Sequence, residues 1–320
     1  MTRYIAGRLV ETMLTLAVMS FLIYGLIGLM PGDPIDIMVQ ADPNLTAADA
    51  ARLKALYGLD KPLLERYMNW LTAALQGDFG YSRVHNAPVL DVLLPRLGNT
   101  LLLMGLSFIL ALLIALPIGV YSALKPYGAR DYAINFMALA GISLPVFWFA
   151  LMLIYLFAVE WKLLPAGGVQ SIDGGGLLDR ARYLVLPVLT LSAASAGGFT
   201  RFMRASTMET MRHDYIRTAR AKGLGEPKVV LKHALRNALI PVVTIIALSF
   251  GSLFSGALIT ETMFSYLGMG KLIYDSILGN DYNLALIGLL FATLLTLIAN
   301  LAADVCYAWL DPRISYTKVQ

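Results

Sequence analysis

Residues 201–241 read RFMRASTMETMRHDYIRTARAKGLGEPKVVLKHALRNALIP, a basic insert between two apolar stretches. The insert holds nine Lys/Arg (Arg201, Arg204, Arg212, Arg217, Arg220, Lys222, Lys228, Lys232, Arg236) against three acids, Glu209, Asp214 and Glu226. A helical run over 215–222 leads into Gly223-Leu224-Gly225, a break at Pro227 and a second helical run over 228–239. Two short helices joined by a glycine turn at a membrane surface form a rigid knob, and a rigid knob can be pushed by another protein.

Composition makes the bilayer the solvent. The 320 residues are 58% hydrophobic and 14% charged, with a mean hydropathy of +0.67, whereas soluble domains average about 25% charged. A soluble fold of this length could not hide so much apolar surface. The net charge of +4 is modest, and its location on inner loops makes it a topology signal, not a nucleic-acid one. The single cysteine, Cys306, excludes an intrachain disulfide, and His85, His213 and His233 lack metal-ligand spacing. Arg3 and Arg8 ahead of an apolar run resemble a signal sequence. The run is too long and lacks a small-x-small cleavage site, so it reads as a retained first membrane helix.

Charge-free windows at 12–32, 97–124, 132–159, 183–200, 237–260 and 282–303 are each about long enough to cross a hydrocarbon core of roughly 30 Å as a helix. The fourth is the shortest and contains Pro187, Gly197 and Gly198. The expected fold is an all-α integral membrane protein with six transmembrane helices. Its parts are the N-terminus and first helix (1–32), an extracytoplasmic helical segment (33–96) and a five-helix core (97–320) carrying the cytoplasmic loop 201–236. With the N-terminus inside, the inner segments carry fifteen Lys/Arg and the longer outer ones ten, the latter alongside 14 acids. The positive-inside rule then places both termini in the cytoplasm.

In the outer segment, Thr46-Ala-Ala-Asp49 forms a capping box for a helix over 47–57 stopped by Gly58. A second helix over 62–76 has Pro62 at its start and Gly77 after its end. Its apolar positions Leu63, Leu64, Tyr67, Trp70, Leu71 and Ala74 recur at helical spacing, so it packs on the membrane-embedded body as a cap. Gly174-Gly-Gly176 reads as a flexible outer turn. Pro117, Pro145, Pro187 and Pro241 kink the spans. Gly105, Gly119, Gly141, Gly197, Gly198, Gly251 and Gly256 allow close helix approach. Asn300 and Asp304 lie one turn apart near the inner end of the last span, where an interfacial or packing role is expected and gating is the alternative.

No ionisable group lies in the middle of a span, against a proton- or sodium-coupled carrier. GxxxxGK[ST] is missing, and Gly268-Met-Gly270-Lys271 has the wrong spacing on an outer loop. HExxH, GxSxG and clustered Cys/His are also missing. Uphill transport would therefore draw its energy from a partner.

The insert resembles the cytoplasmic EAA loop of ABC importer permeases, a helix–Gly–helix knob that docks into a groove on the ATPase subunit. Arg217-Thr218-Ala219-Arg220-Ala221-Lys222-Gly223 stands in the place of EAAxxxG, and His233-Ala234-Leu235-Arg236 in that of IxLP. Arg217, Thr218 and Arg236 replace the glutamate, an alanine and the proline, as in the YIRTARAKGL…HALRNALIP variant of the dipeptide/oligopeptide/nickel branch. That branch is matched again by Met30-Pro-Gly-Asp-Pro34, Tyr57-Gly-Leu-Asp-Lys-Pro62, Gly77-Asp-Phe-Gly-Tyr-Ser82, Arg96-Leu-Gly-Asn-Thr100, Ser143-Leu-Pro-Val-Phe-Trp148 and Leu310-Asp-Pro-Arg-Ile314. The long outer segment after the first span looks like that of the B-type subunit.

The resemblance implies a type I permease fold in a bacterial or archaeal cytoplasmic (inner) membrane. It implies a heterodimer with a similar C-type permease, two ABC ATPase subunits, an extracytoplasmic binding protein and surrounding lipid. Nucleic acid has no role. The chain would hold no cofactor and no metal, with ATP and Mg bound by the ATPase subunits. Coupling would fall to Arg217, Thr218, Ala219, Arg220, Ala221, Lys222, Gly223, Leu224 and Gly225, with both glycines supplying positive φ and the two alanines keeping the contact surface small. The substrate would be a di- or oligopeptide, with nickel or a glutathione-type peptide as the alternative in the same branch. A stand-alone secondary carrier is the reading from another class, disfavoured by the absence of inverted repeats. A membrane enzyme has no nucleophile–base or metal set to support it.

Overall fold

The structure, a computed structural model, describes residues 2–29, 61–250 and 253–310, with positions 46 and 52. The capping box at 46–49, the helix expected over 47–57, Gly58, the motif at 30–34, most of that at 57–62, Gly251 and residues 311–314 lie outside the described residues. Helix α1 spans Thr2–Gly28, and α2 spans Leu63–Leu75. A two-stranded antiparallel hairpin, β1 Tyr81–Ser82 and β2 Ala87–Pro88, pairs Tyr81 with Pro88 and Ser82 with Ala87. Then come α3 Val89–Leu124, α4 Ala129–Ser143, α5 Val146–Leu153 with π-type turns over Ile154–Glu160, and α6 Gly176–Thr210. The short α7 Asp214–Ala221 precedes α8, which begins at Glu226–Lys228, widens into π-type turns over Val229–Ala234 and continues as Leu235–Phe250. Helices α9 Leu253–Met263, α10 Met269–Leu278 and α11 Tyr282–Leu310 complete the order.

Five stretches are long and apolar enough to cross a membrane, at 6–28, 89–124, 176–210, 226–246 and 282–305, and the bent pair α4–α5 makes a sixth. Helical form follows from the solvent, because a backbone in lipid must satisfy its own hydrogen bonds. The helices run past the charge-free windows. Helix α3 begins at Val89, so the boundary drawn at residue 96 falls inside it. Helix α6 has 35 residues and passes through Pro187 to Thr210, about 52 Å at 1.5 Å per residue. The shortest window therefore belongs to one of the longest helices, and the basic insert begins as the C-terminal end of that helix. The third span is not a straight crossing, because α4 and α5 meet at 103°.

Helix α6 is the central post, packed along α3 and α4 and touching α5, α8 and α9. Small residues set these approaches. A Cβ on Gly197 would stand 2.4 Å from the Ala138 carbonyl oxygen, and one on Gly119 would stand 2.8 Å from that of Thr200. Gly141 approaches the Ala193 oxygen in the same way, whereas Gly105 and Gly198 have nothing within 4 Å. Apolar side chains fill the seams between these helices. Leu103, Ala150, Leu186 and Phe264 join α3, α5, α6 and the end of α9. Ala111, Ala115, Ala196 and Phe199 continue the α3–α6 seam.

The outer pieces are tied to the spans. Ser20 and Tyr67 share a 2.7 Å hydrogen bond between α1 and α2, and Phe21 and Tyr24 meet the Tyr67 ring edge-on. Of the apolar positions on α2, Tyr67 is buried and Trp70, Leu71 and Ala74 are half-buried, while Leu63 and Leu64 stay exposed. The buried Asp281 accepts from Ser82 Oγ at 2.5 Å and from the Val84 amide at 3.0 Å, pinning the hairpin to the start of α11. At the other end of the first span, Arg8 Nε lies 3.3 Å from Asp304, joining α1 to α11.

These approaches fix the outcome of two substitutions. Gly197→Val forces α4 away from α6 and lowers thermal stability in detergent by about 1–3 kcal/mol, the usual overpacking cost. Gly198→Ala, one residue on, leaves the melting temperature within a degree or two. Equal melting temperatures for the two variants would contradict the packing.

Candidate functional site: the basic knob at the end of the central helix

The knob is α7, the turn after it and the first turns of α8. Ile216 and Ala219 of α7 and Val229 and Ala234 of α8 form its own small core, with Met211 and Leu224 packed against it. Burying the Ile216 side chain contributes about 2 kcal/mol. Helix α7 ends in a Schellman arrangement, with the Gly223 amide donating to Arg220 O at 2.9 Å and the Leu224 amide to Ala219 O at 3.4 Å. Gly223 sits at φ +77°, where a side chain is strained. Leu224 folds back onto the core, the apolar contact that accompanies this motif.

Three expectations change here. Gly225 is extended, at φ −65° and ψ 148°, and caps α8, so only Gly223 supplies the left-handed turn. Pro227 does not break a helix but sits in the first turn of α8, where its missing N–H costs nothing. Ala219 is buried and faces the second helix of the knob, because small side chains let α7 and α8 approach each other. Ala221, by contrast, is exposed.

The remaining residues separate into internal braces and free surface. Arg220 donates from Nε to Glu226 Oε1 at 2.6 Å and from Nη2 to Oε2 at 3.2 Å, a bidentate brace across the turn. Arg217 stands 3.5 Å from Asp214 with both side chains exposed, an arrangement worth little in energy. Thr218 Oγ1 donates to Asp214 O at 3.0 Å. Arg217, Thr218, Ala221, Lys222 and Lys228 are exposed, together with Leu231 at 66% and Tyr215 at 40%. The outward face is therefore cationic with two apolar side chains, suited to a groove of opposite charge.

A buried ion pair joins the knob's support to the spans, and the sequence reading passed over it. Asp131 of α4 accepts from Arg204 Nε and Nη2 of α6, both at 2.6 Å. The same carboxylate accepts from Ser122 Oγ of α3, from the Tyr127 amide at 2.8 Å and from Asn135 Nδ2 at 2.8 Å. Its side chain is 2% exposed and that of Arg204 19%. The ends of α3, α4 and α6 nearest the knob are thus locked together, ten residues before the start of α7. Nearby, Ser206 Oγ donates to Ala238 O at 2.7 Å, and Met203, Ala238 and Val242 pack together, tying α6 to α8. The sequence signal was an aspartate at the edge of one window and one arginine among nine, with no local pattern to pair them.

Glu261 is a second buried acid that charge counting left in an outer loop. It accepts from Thr100 Oγ1 of α3 at 2.5 Å and from the Lys271 amide at 3.0 Å. A Cβ on Gly268 would fall 2.1 Å from its carboxyl group. The Gly268–Gly270 turn, which has the wrong spacing for a phosphate loop, is filled by this carboxylate, which caps α10. Among the described residues no group of three or more His, Cys, Asp or Glu could hold a metal ion.

Six apolar crossings, with the bent α4–α5 pair counted as one, a long central helix and a basic knob at its end define a polytopic membrane protein. Comparison with known proteins names its family. Residues 115–316 match the family described as "Binding-protein-dependent transport system inner membrane component", and residues 1–104 match the N-terminal part described for the same kind of membrane component. The chain belongs to this family of ABC importer permeases. It is 40% identical to the oligopeptide transport system permease protein AppB of Bacillus subtilis (strain 168), over 99% of this chain and 100% of that one. It is 34% identical to the dipeptide transport system permease protein DppB of Escherichia coli (strain K12) and 37% identical to the glutathione transport system permease protein GsiC of Escherichia coli O1:K1, again over 99% of this chain and 100% of each relative. Among solved structures it resembles the inward-facing MetNI methionine ABC transporter, with a TM-score of 0.55 at 17% identity, over 69% of this chain and 97% of that one. That likeness is one of fold.

The ion pair sets a further outcome. Asp131→Asn leaves Arg204 without its countercharge and lowers stability on the order of 3 kcal/mol, as for other half-removed buried pairs. Asp131→Asn combined with Arg204→Gln recovers part of that loss. Thermal unfolding in detergent reads both, and a double variant less stable than the single one would contradict the pairing.

Proposed function

We propose that this chain is the B-type pore subunit of an ATP-driven importer of di- and oligopeptides. The observation that carries the reading is full-length likeness, at 34–40% identity, to permeases named for oligopeptides and dipeptides. The pore would form between this chain and a C-type permease, with an extracytoplasmic binding protein delivering substrate. Two ATPase subunits would hold ATP and Mg on the cytoplasmic side, where the Lys/Arg distribution also puts both termini. A tripeptide of the glutathione type is the second reading, favoured by the 37% identity to GsiC.

The mechanism follows from stiffness. ATP binding closes the ATPase subunits, and a knob seated in one of them moves as a block because it has its own core and a braced turn. Helix α6 receives that movement at its inner end, and the Asp131–Arg204 pair carries α3 and α4 with it. Arg217, Thr218, Ala221 and Lys222 would contact the groove, with the Arg220–Glu226 brace behind them. Ala219, Gly223, Leu224 and Gly225 hold its shape.

Uptake by proteoliposomes holding the four-subunit complex and its binding protein tests the substrate. ATP-dependent accumulation of labelled di- and oligopeptides is expected. Accumulation of glutathione or nickel alone would replace the substrate, and flux independent of ATP would remove the coupling role. For the knob, a Cβ at Gly223 would meet no neighbouring atom within 4 Å, so the main penalty of Gly223→Val is backbone strain of about 1–2 kcal/mol. It is expected to leave membrane insertion and ATP hydrolysis intact while lowering uptake per ATP at least ten-fold. Gly225→Ala, at an extended position, keeps uptake coupled. Coupled uptake at the normal level in Gly223→Val would refute the role of the turn.

A further inference from the structure

The third crossing is interrupted where the bilayer tolerates interruption least. Helix α4 ends at Ser143 and α5 starts at Val146, with Leu144-Pro145 between them and a 103° change of direction. The Leu144 amide donates back to Ala140 O, and the Phe149 amide to Pro145 O. Among the described residues no hydrogen bond reaches the carbonyls of residues 141–144 or the amides of residues 146–148, and no side chain caps α5. Pro145 contributes to the gap by having no N–H to offer residue 141.

Depth and exposure decide what these groups face. Asp131, held by Arg204, marks the inner end of α4, and Ser143 follows twelve residues later, about 18 Å along the helix. That places the break within a hydrocarbon core roughly 30 Å thick. Ile142, Leu144, Phe147 and Trp148 are 43%, 37%, 50% and 45% exposed, so the chain covers the break only in part, on the side where Gly141 packs against α6. Lipid cannot pair with these amides and carbonyls, and non-helical backbone at this depth survives only against protein or lining water.

We propose that the break at residues 143–145 lines the water-filled translocation path, where water pairs with its free main-chain groups. The inference rests on the permease reading. It assigns the path to one face of the α4–α5 junction and gives Pro145 a role beyond bending a helix. The inner half of this crossing is the one clamped to the knob's support by Asp131, so movement of α6 reaches the lining directly.

Hydrogen exchange on the unmodified four-subunit complex in lipid tests this without a substitution. Unpaired amides of residues 146–148 in contact with water are expected to exchange within seconds. Protection for hours would overturn the proposal, because lipid or the partner permease would then cover the break. Single cysteines at Ser143→Cys and Leu144→Cys, in a Cys306→Ala background, add a second readout. A charged, membrane-impermeant methanethiosulfonate should modify them at least ten-fold faster than Ala150→Cys, at a buried position. Modification only by lipid-soluble maleimide, or by neither reagent, would count against it. ATP-driven uptake by the same preparation separates the two ideas. Uptake with protected amides refutes the lining alone, and fast exchange without ATP-driven uptake refutes the permease reading.

Discussion

Every part of this chain answers to the poverty of hydrocarbon as a hydrogen-bonding solvent. A backbone that must satisfy itself becomes helix across the membrane, and helices that cannot rely on the hydrophobic effect to associate pack through small residues instead. Gly119, Gly141 and Gly197 bring α3 and α4 against α6 at backbone distance. Side-chain hydroxyls follow the same constraint. Thr190 and Thr200 donate to carbonyls one turn back, at 2.9 and 2.7 Å. Among the described residues the α4–α5 junction is a place where the constraint is broken.

Polar groups in this setting serve as joints. The Asp131–Arg204 pair would cost desolvation anywhere, yet the carboxylate here gathers Ser122, Tyr127, Asn135 and two of the three guanidinium nitrogens of Arg204. Glu261 does the corresponding work toward the other end of α3, fixing α9, α10 and Thr100. Asp281 fixes the hairpin and the start of α11. Each joins elements far apart in sequence, and the knob with its private core is held together in the same way.

Much of the architecture and the position of the knob were legible in the sequence, for a physical reason. Whether a window of twenty residues can cross a bilayer depends on the hydropathy of that window. Whether a helix ends depends on the next two or three residues. The six crossings, the helical run over 215–222 and the turn at Gly223 therefore needed no knowledge of neighbours. The ends of α3 and α6 did, because a helix continues beyond the membrane wherever another helix supports it. Charge-free windows stop at Arg96 and Arg201, but the helices do not.

What the sequence by itself determined was thus the class of fold and the basic knob with its glycine turn, while the structure showed which of the two glycines is left-handed. Only the tertiary structure decided which small residues face a neighbour, since Gly197 is enclosed and Gly198 is open although they adjoin. It also turned Ala219 inward, assigned Pro227 to the start of a helix, and paired Asp131 with an arginine 73 residues away and Glu261 with a threonine 161 residues away. Those facts depend on the rotation of each helix about its axis and on how pairs of helices cross. Both are set by packing over the whole bundle, and no local pattern of hydropathy or charge encodes them.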